Sequence, residues 1–253
     1  MALNDEIKVQ RQKLKGAPFK QKLSYFWSYY KGPFFISLLI VAFIVTYVGK
    51  LDDKKIILHG YMLNHFNNDL EAPLTEIEDG FLRAIDHDAG KYTLNINTTL
   101  SYYFNEDEDI STTNYQTMET LLAKSAGGEL GFITGDRNSL MGLAYSDFFL
   151  DLTTIMNKEQ IANFQSNFLY IDSDLISEFK NNSITLKDTS TLDYPDMTSP
   201  ENMKKPVPVL IDISSFPTLR ELYHYSPETL SFGVSSTRNP EIILQFLEYI
   251  TAQ

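Results

Sequence analysis

The longest uninterrupted run of apolar positions lies near the start of the chain, from Pro33 to Gly49, and it contains no charged residue. Seventeen helical residues rise about 25 Å, close to the roughly 30 Å hydrocarbon core of a bilayer. A buried helix of a soluble protein would show a polar stripe at helical spacing, and a cleavable signal peptide would be followed by small residues at a cleavage site. Neither feature is present, so the pattern predicts a transmembrane helix over residues 33–49 that is retained as a signal anchor.

Farther along the chain, apolar positions alternate between the period of a strand and that of a helix. Strands are predicted for "KIILHGYM" (55–62), "KYTLNINTTL" (91–100), "ELGFITG" (129–135), "FLYID" (168–172), "SITLKD" (183–188), "VPVLIDI" (207–213) and "TLSFGVSS" (229–236). Helices are predicted for residues 73–86, 111–125, 139–152, 157–165 and 240–252, where apolar residues recur every three or four positions. The opening order of strand, helix, strand, helix, strand is typical of a parallel sheet with crossover helices. We therefore predict an α/β domain with a mostly parallel sheet and helices on both faces, preceded by one transmembrane helix.

Charge assigns an orientation to the predicted span. Residues 1–32 carry seven Lys or Arg against two acidic residues, a net charge of +5, whereas the whole chain has a net charge of −12. Basic residues next to a span are retained in the cytoplasm. The prediction is a cytoplasmic basic and aromatic leader (1–32), the helix (33–49) and an extracellular domain (50–253), which makes a single-pass protein of the cell membrane. The chain has no cysteine, which excludes a lipid anchor on cysteine.

Three segments resemble the bacterial extracellular solute-binding proteins of the type 2 periplasmic-binding fold. They are "AGGELGFITGDRNSLMGLAYSDFFLDLTTIM", "VPVLIDI" and "SFGVSSTRNPEIILQFLEYITAQ", and they occur in the order found in that family. The leader "KQKLSYFWSYYKG" resembles that of uncharacterised clostridial membrane proteins, which are anchored by a helix instead of a lipidated cysteine. The resemblance implies capture or sensing of a small solute outside the cell, next to an ABC-type permease or another membrane subunit.

The candidate ligand site lies where the predicted parallel strands end, because open α/β sheets bind ligands beyond the carboxyl ends of their strands. Tyr61, Asn64, Thr98, Thr134 and Asp136 would present hydroxyl groups, an amide and a carboxylate to a polar solute there. The alternative is that these are ordinary turn residues. The acidic net charge argues against nucleic acid as a partner.

The chain contains none of the residue patterns that would indicate catalysis or a cofactor. H-E-x-x-H, G-x-S-x-G and G-x-x-x-x-G-K are all missing. The best cluster of potential metal ligands is Asp86-His87-Asp88, which we interpret as the polar end of a helix. We predict no enzyme activity, no cofactor and no metal. The leading hypothesis is a solute-binding domain, and the alternative is an accessory or structural subunit of a membrane complex that keeps the fold without a ligand.

Overall fold

The computed structural model describes residues 16, 18–51, 54–65, 71–104, 111–184, 194–223, 228–235, 237 and 239–252. The chain divides into two compact units, Met1–Asp53 and Lys54–Gln253. Half of the predicted leader, residues 1–15 and 17, lies outside the described residues.

Within its described residues, the first unit contains the helix α1 (Phe19–Leu51), with Pro33 inside it. Its aromatic side chains contact each other one above the next, with ring centroids 5.9 Å apart for Phe26–Phe34 and for Trp27–Phe35. No helix among the described residues has the length and apolar character needed to cross a membrane. The predicted transmembrane helix at 33–49 is therefore wrong, and so is the single-pass location at the cell membrane. The apolar run covers only about half of the 33-residue helix, and the rest of the helix carries lysines, including Lys31.

The second unit contains six strands and eight helices within its described residues. The strands are β1 (Lys55–Met62), β2 (Tyr92–Asn97), β3 (Phe132–Gly135), β4 (Phe168–Asp172), β5 (Pro206–Asp212) and β6 (Ser231–Val234). The helices are α2 (Glu71–Ala84), α3 (Ser111–Gly127), α4 (Arg137–Tyr145), α5 (Leu152–Ile155), α6 (Lys158–Phe164), α7 (Ser173–Ile184), α8 (Pro217–Arg220) and α9 (Pro240–Thr251), with 3₁₀ turns at Gln165–Asn167 and Pro200–Asn202.

The six strands form one sheet in the order β2-β1-β3-β6-β5-β4. β1 pairs in parallel with β2 and with β3, but the β3–β6, β6–β5 and β5–β4 pairs are antiparallel. The prediction of a mostly parallel sheet is therefore wrong, because only the first half of the domain is built from crossovers. We call the side where β1, β2, β3 and β5 end the carboxyl edge, and the side where they begin the amino edge.

Each face of the sheet buries its own hydrophobic core. On one face, Phe132 stacks on Phe232 and on Phe246 of α9, with ring centroids 4.9 and 5.2 Å apart, and α2 adds Phe81. Gly60 leaves the space that the Phe132 ring fills, since a Cβ at that position would lie 2.2 Å from Phe132 Cζ. On the other face, α4 packs Leu140, Leu143 and Tyr145 against β3 and β5. Helices therefore cover both faces, as predicted, around a sheet of mixed direction.

Two predicted elements differ from those in the structure. The helix predicted for 139–152 is broken, because α4 ends at Tyr145 and Asp147 adopts a positive φ of 65° that turns the chain. The helix α7 extends to Ile184 and so includes the start of the strand predicted for 183–188. The rest of that predicted strand lies outside the described residues.

The outer strands have backbone groups capped by other parts of the chain. On β2, the Leu94 N–H donates to Glu78 Oε1 of α2 at 3.1 Å, and the Thr93 hydroxyl donates to the same oxygen at 2.6 Å. On β4, the Tyr170 N–H donates to the Met197 carbonyl at 2.8 Å. Asp172, at the end of β4, accepts from the backbone N–H groups of Lys204 and Lys205. Burial opposes ionisation of Asp172, but these N–H donors outweigh burial and lower its pKa.

Candidate functional site

Two of the predicted ligand residues, Asn64 and Asp136, meet at the carboxyl edge, where Asn64 Nδ2 donates to Asp136 Oδ2 at 3.3 Å. Asn64 is only 1% exposed and adopts a φ of 55°, in the left-handed region that asparagine tolerates. Its amide also pairs with the Tyr102 backbone, accepting from the N–H at 2.9 Å and donating to the carbonyl at 2.7 Å. Asn64 therefore holds the chain after β2 against the end of β1.

Asp136 is the N-cap of α4. Its Oδ1 accepts from the Ser139 N–H at 2.9 Å, which satisfies one of the free N–H groups at the start of that helix. The Ser139 hydroxyl in turn donates to the Tyr102 carbonyl at 2.8 Å. The predicted carboxylate thus belongs to a hydrogen-bond network that joins β1, β3 and the segment after β2.

Thr134 lies on the face of the sheet that carries Tyr223 and the core around Phe132, and it is 0% exposed. Its hydroxyl shares a hydrogen bond of 2.9 Å with the Tyr223 hydroxyl. Beside it, His65 Nε2 donates to the Leu222 carbonyl at 2.6 Å, and the His65 ring lies 5.1 Å from that of Tyr223. Burial lowers the pKa of His65, although the bond to Leu222 opposes this effect. Thr134 therefore joins β3 to the segment that follows α8.

The other two predicted residues do not share these side-chain bonds. Tyr61 is buried in the second core with Leu63 and Ile133, and burial raises the pKa of its hydroxyl. Thr98 is half-buried in the segment that follows β2. The structure thus brings Asn64 and Asp136 into contact, with Thr134 on the neighbouring strand, and uses all three in contacts within the protein.

An open groove of about 620 Å³ lies at the amino edge instead. Its walls come from the start of β1, the segment before β2, the end of α3 and the start of α9. The lining residues are Lys55, Ile56, Ile57, Leu58, His59, His87, Tyr92, Gly127, Gly128, Glu129, Gly131, Thr237, Asn239, Ile242 and Ile243. This volume lies within the range of small-molecule sites, about 300–1,000 Å³. We call this cavity the amino-end groove.

Two histidines and one carboxylate supply much of the polar chemistry of the amino-end groove. Burial lowers the pKa of His59, Lys124 lowers it further, and Glu129 opposes both effects. His87 Nδ1 donates to the Ile85 carbonyl at 2.9 Å, so in neutral His87 the Nε2 atom is the acceptor. Glu129 forms a 2.7 Å ion pair with Lys124. The groove therefore combines a hydrocarbon wall with imidazole and carboxylate groups.

The local cluster Asp86-His87-Asp88 serves as a turn, as the sequence suggested. Asp86 has a φ of 56°, and Asp88 Oδ1 accepts from the Gly90 N–H at 2.9 Å. In the part of the chain that the structure describes, no group of three or more acidic or histidine side chains is placed to hold a metal ion. No protein-family model, curated protein or solved structure matches the chain. The resemblance to solute-binding proteins therefore stays a prediction.

Sequence reasoning missed the amino-end groove, because its residues come from four separate segments. His59 and Glu129 are 70 positions apart in the sequence. They line the same groove only because β3 lies beside β1. One local signal was present in the two adjacent glycines, Gly127 and Gly128. Gly128 adopts a φ of 67° directly after α3, where the chain turns into the segment that leads to β3 beside β1.

Proposed function

We propose that residues 54–253 form a non-catalytic binding domain that takes a small amphipathic solute in the amino-end groove. The observation that supports this function is the groove itself, with its volume of about 620 Å³ and its mixed lining. Binding sites for small molecules combine an apolar wall with a few polar groups that fix orientation. Ile56, Ile242 and Tyr92 provide the apolar wall, and His59 and His87 provide the polar groups.

The experiment is a thermal-shift screen of the full chain against sugars, amino acids and short peptides, because a solute that binds the native state raises its stability. For each solute found, Ile56→Glu places a charge at the groove, and Leu122→Glu is the matched control on the exposed surface of α3. Both parent side chains are exposed, at 43% and 57%, so neither change should disturb the core.

We expect Ile56→Glu to weaken binding about tenfold or more, as burying an apolar group beside an unpaired carboxylate costs over 1.4 kcal/mol. Leu122→Glu should bind as the wild type does. Equal binding by both variants, or a screen without any stabilising solute, would contradict solute binding in this groove.

A second function is favoured by a different observation, the closed carboxyl edge. Asn64, Asp136 and Thr134 are all bound to other groups of the protein. This is expected of an accessory subunit that keeps the fold of a binding domain but contacts another protein instead of a ligand. In that case the partner is another subunit, such as the permease that the resemblance implies. This accessory function predicts no solute shift in the screen, together with a saturable complex between the full chain and that subunit.

A further inference from the structure

At the carboxyl edge, three residues lie side by side across the sheet: Gly135 of β3, Ser231 of β6 and Asp212 of β5. Ser231 is the register partner of both Gly135 and Asp212 in antiparallel ladders. Directly opposed residues of such ladders present their side chains on the same face. Ser231 and Asp212 therefore share a face, and Gly135 leads directly into the start of α4.

The acceptor capacity of Asp212 is largely used by other groups. Its Oδ2 accepts from the Arg137 guanidinium, and its Oδ1 accepts from the Ser214 N–H at 2.9 Å and from the Ser214 hydroxyl. A carboxylate offers about four acceptor positions, so three of them are occupied. Asp212 organises this corner of the sheet and leaves few acceptor positions for further donors.

The same contacts bring a second arginine to the corner. Arg220 Nη1 donates to the Ser214 carbonyl at 3.1 Å. The Ser214 hydroxyl oxygen accepts from the Leu230 N–H at 2.8 Å, one residue before Ser231. Arg137 reaches this segment too, since its N–H donates to the Thr229 hydroxyl at 3.3 Å. Arg137, Arg220, Asp212 and Ser231 therefore form one connected cluster, which we call the arginine corner.

Three polar atoms of the arginine corner are buried without a hydrogen-bond partner among the described residues: Arg137 Nε, Arg220 Nε and Ser231 Oγ. Ser231 is 0% exposed. A buried polar group without a partner is destabilising, and native proteins seldom leave such groups unsatisfied. The two guanidinium atoms are donors only, and the hydroxyl also donates. Their common complement is an oxygen acceptor.

We propose that the arginine corner binds a small monovalent oxyanion, the carboxylate group of a small acid. The Arg137 guanidinium donates to Asp212 and that of Arg220 donates to the Ser214 carbonyl, so Asp212 is the carboxylate already bonded within the corner. Asp136 precedes Arg137 in the chain, and the charge of Asp196 interacts with that of Arg137; this nearby negative charge favours a monovalent anion over a dianion such as phosphate. The Arg137 side chain is 28% exposed, so one side of the corner borders solvent.

This site is separate from the amino-end groove, because it lies at the opposite edge of the sheet. The test measures the melting temperature of the full chain in sodium acetate, inorganic phosphate and sodium chloride at matched ionic strength. At acetate concentrations about fivefold above the dissociation constant, the melting temperature should exceed that in chloride by about 2–4 °C. A larger shift in phosphate than in acetate, or equal melting temperatures in all three salts, would overturn the carboxylate site.

Variants identify the residues responsible. Ser231→Ala removes the unpaired hydroxyl, so in chloride it should be as stable as the wild type or more so. In acetate, both Ser231→Ala and Arg220→Gln should bind at least about tenfold more weakly than the wild type. Arg83→Gln is the control, an exposed arginine on α2 whose Nε donates to the Asp79 carbonyl. Acetate shifts in Ser231→Ala that equal those of the wild type would contradict the proposal, even if Arg220→Gln failed to fold.

Discussion

At the carboxyl edge, Asn64 is 1% exposed and lies beneath the chain that follows β2, whereas at the amino edge of the same strand Ile56 is 43% exposed beside an open groove. The difference arises from the route taken after β2. The Asn64 N–H donates to the Leu100 carbonyl, and Tyr102 and Phe104 continue over the end of β1 into the second core. The rule that places ligands beyond the carboxyl ends of strands requires that this crevice stay empty. Here the chain that follows β2 fills the crevice at the end of β1, and the amino-end groove lies at the other end of that strand.

The largest effect is expected from Asn64→Ala, because it breaks the closure of the carboxyl edge. The change leaves the Tyr102 N–H without its partner, removes one of the two donors to the Tyr102 carbonyl and places alanine at a φ of 55°. We expect the free energy of unfolding to fall by about 3 kcal/mol or more, as measured by urea denaturation.

Asn64→Gly separates the two causes, since glycine accepts the positive φ and lacks the hydrogen bonds. Asn138→Ala is the matched control, an exposed asparagine one residue beyond the start of α4. If Asn64→Ala cost no more than Asn138→Ala, the closed edge would not depend on Asn64.

A smaller effect is expected from acidification, which should distinguish the histidines at the two edges. Burial lowers the pKa of both His65 and His59 below the ordinary value of 6.5. The unfolded chain therefore takes up protons at a higher pH than the folded chain, so stability decreases as the pH falls from about 6.5 through the folded pKa values.

His65 is 1% exposed and His59 is half-buried, so His65→Gln should reduce the slope of stability against pH more than His59→Gln does. The measurement is the melting temperature of each variant between pH 7.5 and about pH 5. Equal slopes in the two variants would show that the histidines at the two edges contribute equally to the pH dependence of stability.

The smallest effect on the free energy of unfolding is expected from His59→Ala. His59 lies in the amino-end groove, which has open space beside it. Surface changes of this kind alter stability by about 0.5 kcal/mol or less. Urea denaturation at pH 7.5, where the titration of His59 contributes least, is the measurement. A loss above about 2 kcal/mol would mean that the amino edge is as tightly packed as the carboxyl edge.

The sequence predicted elements better than it predicted their arrangement. Apolar spacing located α2 and α9 within about two residues, and α9 begins at Pro240, a residue common in the first turn of a helix. The direction of β6 was not predictable, since a period of two reports which face a residue occupies and carries no information about strand direction. Likewise, the apolar content of residues 33–49 was clear, but no helix among the residues that the structure describes is long and apolar enough to cross a membrane.

The candidate site, too, could be predicted from the sequence only in part. The open-sheet rule placed Asn64 and Asp136, 72 positions apart, at the same edge of the sheet, and in the structure the two side chains form a hydrogen bond. Their burial could not be predicted, because it depends on Tyr102 and on a turn geometry that asparagine adopts only in context. The arginine corner could not be predicted for a similar reason, since Arg137 and Asp212 meet only when β3, β6 and β5 pair in the sheet.

The capping of β2 by Glu78 has a consequence for how the protein behaves in concentrated solution. A sheet with free N–H groups along its outer strand recruits strands from other molecules. Glu78 occupies the Leu94 N–H with a carboxylate, and the segment around Met197 occupies β4 on the far side. An approaching strand would have to displace a charged acceptor on one side and a folded segment on the other. Growth of the sheet from molecule to molecule is thereby opposed at both of its ends.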